Sequence, residues 1–183
     1  VRELQTKTHT FFLYNEESMV ERVDYRDGRK KQCFPKYKRG DIWQYGDNNK
    51  FELFNSRYVK NGTVLMAEGE KSANALTVAS SYVTISAPPF GWEKDYLYKE
   101  FFKIKHFRGC NGIVYFPDND EPGAKKAELV KLTAWSINLP IYVVPLAEMF
   151  MMRESEDIAD LIYREINILE LLCQIRMKVS CSI

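Results

Sequence analysis

Several large functional classes are missing their residues here. Histidine is scarce, with only His9 and His106, and the two stand apart without metal-ligand spacing. The four cysteines, Cys33, Cys110, Cys173 and Cys181, form no C-x-x-C pair. That excludes the common zinc-finger patterns and fits free thiols in a reducing compartment. No apolar run approaches the roughly 20 residues that a membrane-spanning helix needs. Val1-Arg2-Glu3-Leu4 carries no signal-peptide pattern. A cytoplasmic protein without a membrane partner is therefore the expectation, and the start at valine suggests a piece of a longer chain. No G-x-G-x-x-G follows any candidate strand, so a dinucleotide fingerprint is absent. There is no internal repeat and no low-complexity tract.

The 183 residues suffice for one well-cored domain with a small appendage. With 45% hydrophobic and 28% charged residues, the composition is that of a globular chain and not a disordered one. The net charge of +1 hides an uneven distribution. Between Glu21 and Lys60 stand eleven Lys/Arg against six Asp/Glu, whereas from Asn61 onward there are thirteen against sixteen. A basic front and an acidic back fit a nucleic-acid contact beside a metal site, although a solvated surface has the same look.

The first sixty residues read as antiparallel β structure. Phe11 to Tyr14 is a short apolar segment, and Met19 to Tyr25 alternates apolar with charged side chains. Asp27-Gly28 is a hairpin signal. A strand dense in Lys and Arg follows from Arg29 to Tyr37, then Ile42 to Tyr45 and the turn Gly46-Asp47-Asn48-Asn49. From Gly62 onward strands alternate with helices, the pattern of βαβ units and a mostly parallel sheet. Strands are expected at Thr63–Ala67, Tyr82–Ser86, Ile113–Phe116 and Ile141–Val144. Helices are expected at Lys71–Ser80, from about Pro122 at the first helical position to Trp135, and at Ser155–Tyr163. Phe90 to Gly109 reads as a long connection. Near the end, Ile166, Leu169 and Leu172 have near-helical spacing. The expected division is a basic β segment over 1–60, an α/β domain over 61–163 and a helical tail over 164–183.

Two acidic motifs stand where apolar strands end. Thr63-Val64-Leu65-Met66-Ala67 runs into Glu68-Gly69-Glu70-Lys71, and Ile113-Val114-Tyr115-Phe116-Pro117 runs into Asp118-Asn119-Asp120-Glu121-Pro122-Gly123. In a parallel α/β sheet, ligands collect beyond the carboxyl ends of the strands. Carboxylates gathered there repel unless a cation sits among them, and an oxygen-only set suits Mg²⁺. Taken alone, Glu68 is explained more simply by helix capping, and an Asx turn could explain Asp118 and Asp120. Gly69 is expected to let the backbone turn closely into the helix. An EF-hand is excluded because Pro122 occupies a ligand position and Leu129 replaces the closing Glu. A P-loop is excluded because Glu70 interrupts the Gly-Lys step.

In combination, strand-Glu-Gly-helix followed by strand-Asp-x-Asp-x-x-Gly-helix resembles the Toprim domain. Bacterial-type primases, type IA and II topoisomerases, certain nucleases and recombination mediators share that family. The resemblance covers roughly Thr63 to Leu161. Within it, Glu68 to Leu76 and Pro117 to Gly123 look most like the Toprim primases of phages and plasmids. The basic β segment with its D-G turn and Trp43, and the later Asp157-Ile158-Ala159-Asp160, match the same relatives. Their pattern often carries Asp where this chain has Ser72.

The resemblance implies a Toprim-like, Rossmann-like α/β fold with a four-stranded, mostly parallel sheet flanked by helices and a basic antiparallel β appendage in front. It also implies that Glu68, Asp118 and Asp120 are catalytic and hold Mg²⁺ or Mn²⁺. Two ions would position a nucleoside triphosphate for attack by a 3′ hydroxyl. Single-stranded DNA is the implied template, and a replicative helicase an implied partner. Lys71, Lys125 and Lys126, near helix starts, are candidate phosphate contacts. Lys36, Lys38 and Arg39, interleaved with Tyr37 and Trp43, are candidates for tracking a single strand. Edge protection by lysine is the structural alternative for the latter group. A phosphodiester-cleaving nuclease and a non-catalytic nucleic-acid-binding replication module remain open as other functions of the same residues.

Overall fold

The structure, a computed structural model, describes residues 7–46 and 51–180. Val1-Arg2-Glu3-Leu4, the Asp47-Asn48-Asn49 part of the expected turn, and Cys181 lie outside the described residues. The chain divides into two compact units, Val1–Phe54 and Asn55–Ile183.

The first unit is an antiparallel meander of β1 (Lys7–Asn15), β2 (Ser18–Tyr25), β3 (Gln32–Arg39) and β4 (Ile42–Tyr45), paired in that order. Alternation sorts its side chains: Phe12, Tyr14, Val20 and Val23 are buried, while Phe11 and Leu13 are exposed. The buried side is closed by Phe51, Leu53 and Phe54, with Tyr14 5.0 Å from the Phe51 ring and Phe12 5.9 Å from the Phe54 ring. The Asp27-Gly28 hairpin exists but is looser than a two-residue turn. The last β2–β3 pair is Val23 with Gln32, so Arg29 to Lys31 lie in the connection and not in a strand. Local contacts explain this. The Asp27 carboxylate accepts from the Arg29 amide at 3.2 Å and from its guanidinium at 2.9 Å, while that guanidinium lies 4.1 Å from the Tyr25 ring centre.

The second unit is built on β5 (Gly62–Ala67), α1 (Glu70–Ser80), β6 (Thr84–Ile85), α2 (Lys94–Phe107), β7 (Cys110–Phe116), α3 (Glu121–Ser136) and β8 (Ile141–Val143). It continues with α4 (Leu146–Met149), α5 (Ile158–Tyr163) and α6 (Ile168–Ser180). The sheet is wholly parallel, in the order β6-β5-β7-β8. Helices flank it, α1 packing with α5 and α6 and α2 packing with α3. The two central strands are buried on both faces, which is why they read as continuous apolar runs. Tyr115, Phe116, Met66 and Ile113 are 1% exposed or less, each such side chain contributing about 1.5–3 kcal/mol of transfer free energy.

Four expectations are corrected. The segment Phe90 to Gly109 is not one long connection, because α2 occupies most of it. Leu97, Phe101 and Ile104 form its buried stripe, while exposed Tyr98, Phe102 and Phe107 blur the amphipathic pattern. In α6 the buried stripe is Ile168, Leu171 and Ile175, and Leu169 is exposed. Pro122 sits at the second helical position of α3, since Asp120 is the cap and Glu121 comes first. Gly69 is the extended N-cap of α1, with φ −133° and open space where a Cβ would stand, so no close approach requires glycine there. Among the described residues no helix is long and apolar enough to cross a membrane.

Candidate active site

Parallel pairing sets Ala67 of β5 beside Phe116 of β7, so the two acidic motifs leave the sheet at the same carboxyl edge. Glu68 is 7% exposed, and its Oε2 accepts from the Asp118 amide at 3.2 Å. The Lys126 ammonium donates to Oε1 of the same carboxylate. Asp120 caps α3, its Oδ1 accepting from the Gly123 amide at 2.6 Å. Beneath them lies Tyr115, fully buried, whose hydroxyl has no hydrogen-bond partner. Burial pushes the Tyr115 phenol well above its usual range, and the charges of Glu68, Asp118 and Asp120 push it further.

The loop that carries them is clamped. The Asn119 amide donates to Glu156 O at 2.9 Å, and Asn119 O accepts from the Ser155 amide at 2.8 Å. Its side-chain Nδ2 donates to Met152 O and Arg153 O at 3.2 and 2.9 Å. Gly123 is required by space: a Cβ there would stand 2.3 Å from the Asp118 carbonyl oxygen. The Asp-x-Asp-x-x-Gly spacing is therefore a packing constraint as well as a supply of acids.

The candidate lysines scatter. Lys126 turns into the acid cluster, with its ammonium 5.0 Å from the centre of the Trp92 ring. Lys125 is exposed and pairs with Glu121 at 2.7 Å. Lys71 lies 3.6 Å from Asp160. Asp157 and Asp160 form a reciprocal capping box at the start of α5, so in this structure the Asp-x-x-Asp element begins a helix. In the first unit, Lys36 is paired with Glu21 at 2.6 Å, whereas Lys38 and Arg39 are exposed on β3.

Reasoning from the sequence missed Trp92, Asn119 and Tyr115. The middle position of an Asp-x-Asp and the aromatic residue preceding one were the available signals. Nothing local tied Trp92 to the acids, because the loop after β6 brings it there.

Three carboxylates are hard oxygen donors that suit Mg²⁺ or Mn²⁺ in kind. Their present arrangement is another matter. Among the described residues no group of three or more His, Cys, Asp or Glu is set to hold a metal. Both Glu68 oxygens are engaged, one by Lys126. The acid donor types fit the ion, which at Glu68 would compete with the Lys126 ammonium.

No protein-family model matches the chain, and no curated protein sequence does either. Solved structures do. The chain is similar to one in the complex of bacteriophage T7 lagging-strand DNA polymerase with primase domains bound to an RNA/DNA hybrid and dTTP. The identity is 20% over 86% of this chain and 78% of that one, with a TM-score of 0.51. It is similar to the DnaG primase catalytic domain bound to single-stranded DNA at 16% identity over 86% of this chain and 51% of that one, TM-score 0.51. The primase fragment of the bacteriophage T7 primase-helicase is matched at 19% identity over 82% of this chain and 61% of that fragment, TM-score 0.48. This chain thus spans about half of the DnaG domain and under two thirds of the T7 fragment. At such identities the likeness establishes the fold: a Toprim-like α/β architecture of the primase kind and a separate antiparallel sheet.

Proposed function

We propose that the chain is the priming module of a phage- or plasmid-type replication system, a metal-dependent nucleotidyltransferase acting on a single-stranded DNA template. The observation that carries this reading is that both acidic motifs leave neighbouring parallel strands at one carboxyl edge, where the Glu68 carboxylate accepts from the Asp118 amide. Asp118 and Asp120, with Glu68 once Lys126 has left it, would hold Mg²⁺ or Mn²⁺. The ion would supply charge neutralisation for phosphoryl transfer. The chain's own part is positioning. Asn119 and Gly123 fix the acid loop, and Trp92 covers one side of Lys126. Exposed Lys38 and Arg39 on β3 offer phosphate contacts for a template. The DNA, RNA/DNA hybrid and dTTP named with the similar structures support these ligand classes, and a replicative helicase is the corresponding partner.

Incorporation of labelled nucleotides on single-stranded DNA tests the reading. It should depend on Mg²⁺ or Mn²⁺ and disappear when Asp118→Ala and Asp120→Ala are combined. Degradation of single-stranded DNA without added nucleotides would identify a nuclease instead. DNA binding that survives loss of both acids, with neither activity, would identify a non-catalytic module.

A further inference from the structure

Lys126 stands in the second turn of α3, on the helix that Asp120 caps, yet it reaches the acid at the end of β5. Its ammonium lies between the Glu68 carboxylate and the face of Trp92, a setting that holds a partly desolvated cation by charge and by the ring quadrupole. The side chain keeps 28% of its surface exposed, so a path to solvent is open. Glu68, by contrast, is buried, and its Oε2 already accepts from the Asp118 amide. A divalent ion arriving among the acids meets a positive charge already seated on Oε1. The ammonium and the divalent ion repel at short range, and the partly desolvated setting of the carboxylate strengthens that repulsion.

We infer that Lys126 is a resident counter-cation that exchanges with the divalent ion at Glu68. The inference rests on the proposed reading of the acids as a metal site. Without the ion, the ammonium neutralises Glu68 and keeps the acid edge from repelling itself apart. When the ion binds, the lysine leaves Glu68 and Trp92 loses the charge over its ring. Metal affinity is lowered by the work of evicting the lysine, so removing its charge tightens the site. Lys126 is a positioning residue here, acting through Glu68.

The test uses the full chain, with Mn²⁺ binding read by electron paramagnetic resonance. Lys126→Met should bind Mn²⁺ about tenfold more tightly than the unmodified protein, ~1.4 kcal/mol, and Lys126→Gln should follow it. Lys131→Met, a lysine paired with Glu128 elsewhere on α3, should leave the affinity unchanged. In a Trp43→Phe, Trp135→Phe background, Mg²⁺ should shift the Trp92 fluorescence when Lys126 is present and not in Lys126→Met. Equal or weaker Mn²⁺ binding by both Lys126 variants overturns the exchange. If Asp118→Asn with Asp120→Asn still abolishes binding in that case, the metal reading itself stands. If neither the unmodified protein nor Lys126→Met binds Mn²⁺ at millimolar concentration, both ideas fall together.

Discussion

Glu21 on β2 and Glu68 at the end of β5 are buried to nearly the same degree, 5% and 7% exposed, and each holds a lysine. Their surroundings differ. Glu21 accepts from Lys36 at 2.6 Å, from the His9 ring at 2.6 Å and from the Tyr45 hydroxyl at 3.3 Å, while Lys36 also lies 4.4 Å from the Tyr45 ring centre. Here one acid has donors to spare. Around Glu68 the balance is reversed, because Asp118 and Asp120 share the edge and the Tyr115 hydroxyl beneath has no partner. A saturated pair is a structural tie, whereas an acid in a surplus of acids keeps some of its field for a visitor. The same two residue types thus serve opposite ends in the two units.

The sharpest way to break the comparison is to delete each acid. Glu21→Ala leaves Lys36 and His9 facing each other without their anion. It should cost about 3 kcal/mol in the first unit, read by denaturant unfolding of the whole chain. Glu68→Ala frees a partly exposed lysine that can return to water and relieves like charges, so its cost should be clearly smaller than that of Glu21→Ala. Equal losses would erase the distinction. Gly123→Ala comes next. The added carbon meets the Asp118 backbone, and a loss of about 2 kcal/mol should accompany loss of the proposed nucleotide incorporation, whereas Gly69→Ala, in open space, should be close to neutral in both assays. Tyr115→Phe removes a buried hydroxyl without a partner and should raise stability by about 1 kcal/mol, measured as a higher melting temperature.

The smallest effect is the pH response of the saturated pair. The Lys36 hydrogen bond, with His9 assisting, holds Glu21 below its usual range against the opposing effect of burial. The folded form binds fewer protons than the unfolded one, so this contribution is complete above the ordinary value of 4.5 and drains away as pH falls below it. Lys36 is shifted upward chiefly by its hydrogen bond to Glu21. Its contribution is complete below 10.5 and is lost only as pH rises beyond that. Glu21→Gln should therefore flatten the acid limb of the stability profile, and an unchanged acid limb would remove Glu21 from the account.

Elements with a local signature were legible from the residues. Val64 to Ala67 and Ile113 to Phe116 are apolar runs with an acid at the end, and α3 announces itself by Asp120 and Pro122. What escaped depends on partners far along the chain. In α2 the stripe Leu97, Phe101, Ile104 was present, but the exposed aromatics beside it made the segment look irregular. The α6 face was misread because Ile166 and Leu169 have the spacing and Ile168 has the core. At the site, the edge and its acids could be inferred from strand ends, whereas Lys126 could not. Its position by a helix start suggested phosphate, and only the fold, which brings the start of α3 to the end of β5, turns it onto Glu68.

The four hydrogen bonds of Asn119 carry a consequence for anyone shortening or recombining this chain. They fasten the acid loop to Met152, Arg153, Ser155 and Glu156, well downstream of the sheet. A fragment cut after β8 would keep every described strand together with Glu68, Asp118 and Asp120 while losing the strap that holds the 118–120 loop in place. Grafts that exchange the Asp-x-Asp loop between relatives must therefore transplant the 152–156 segment with it, as one inheritable part.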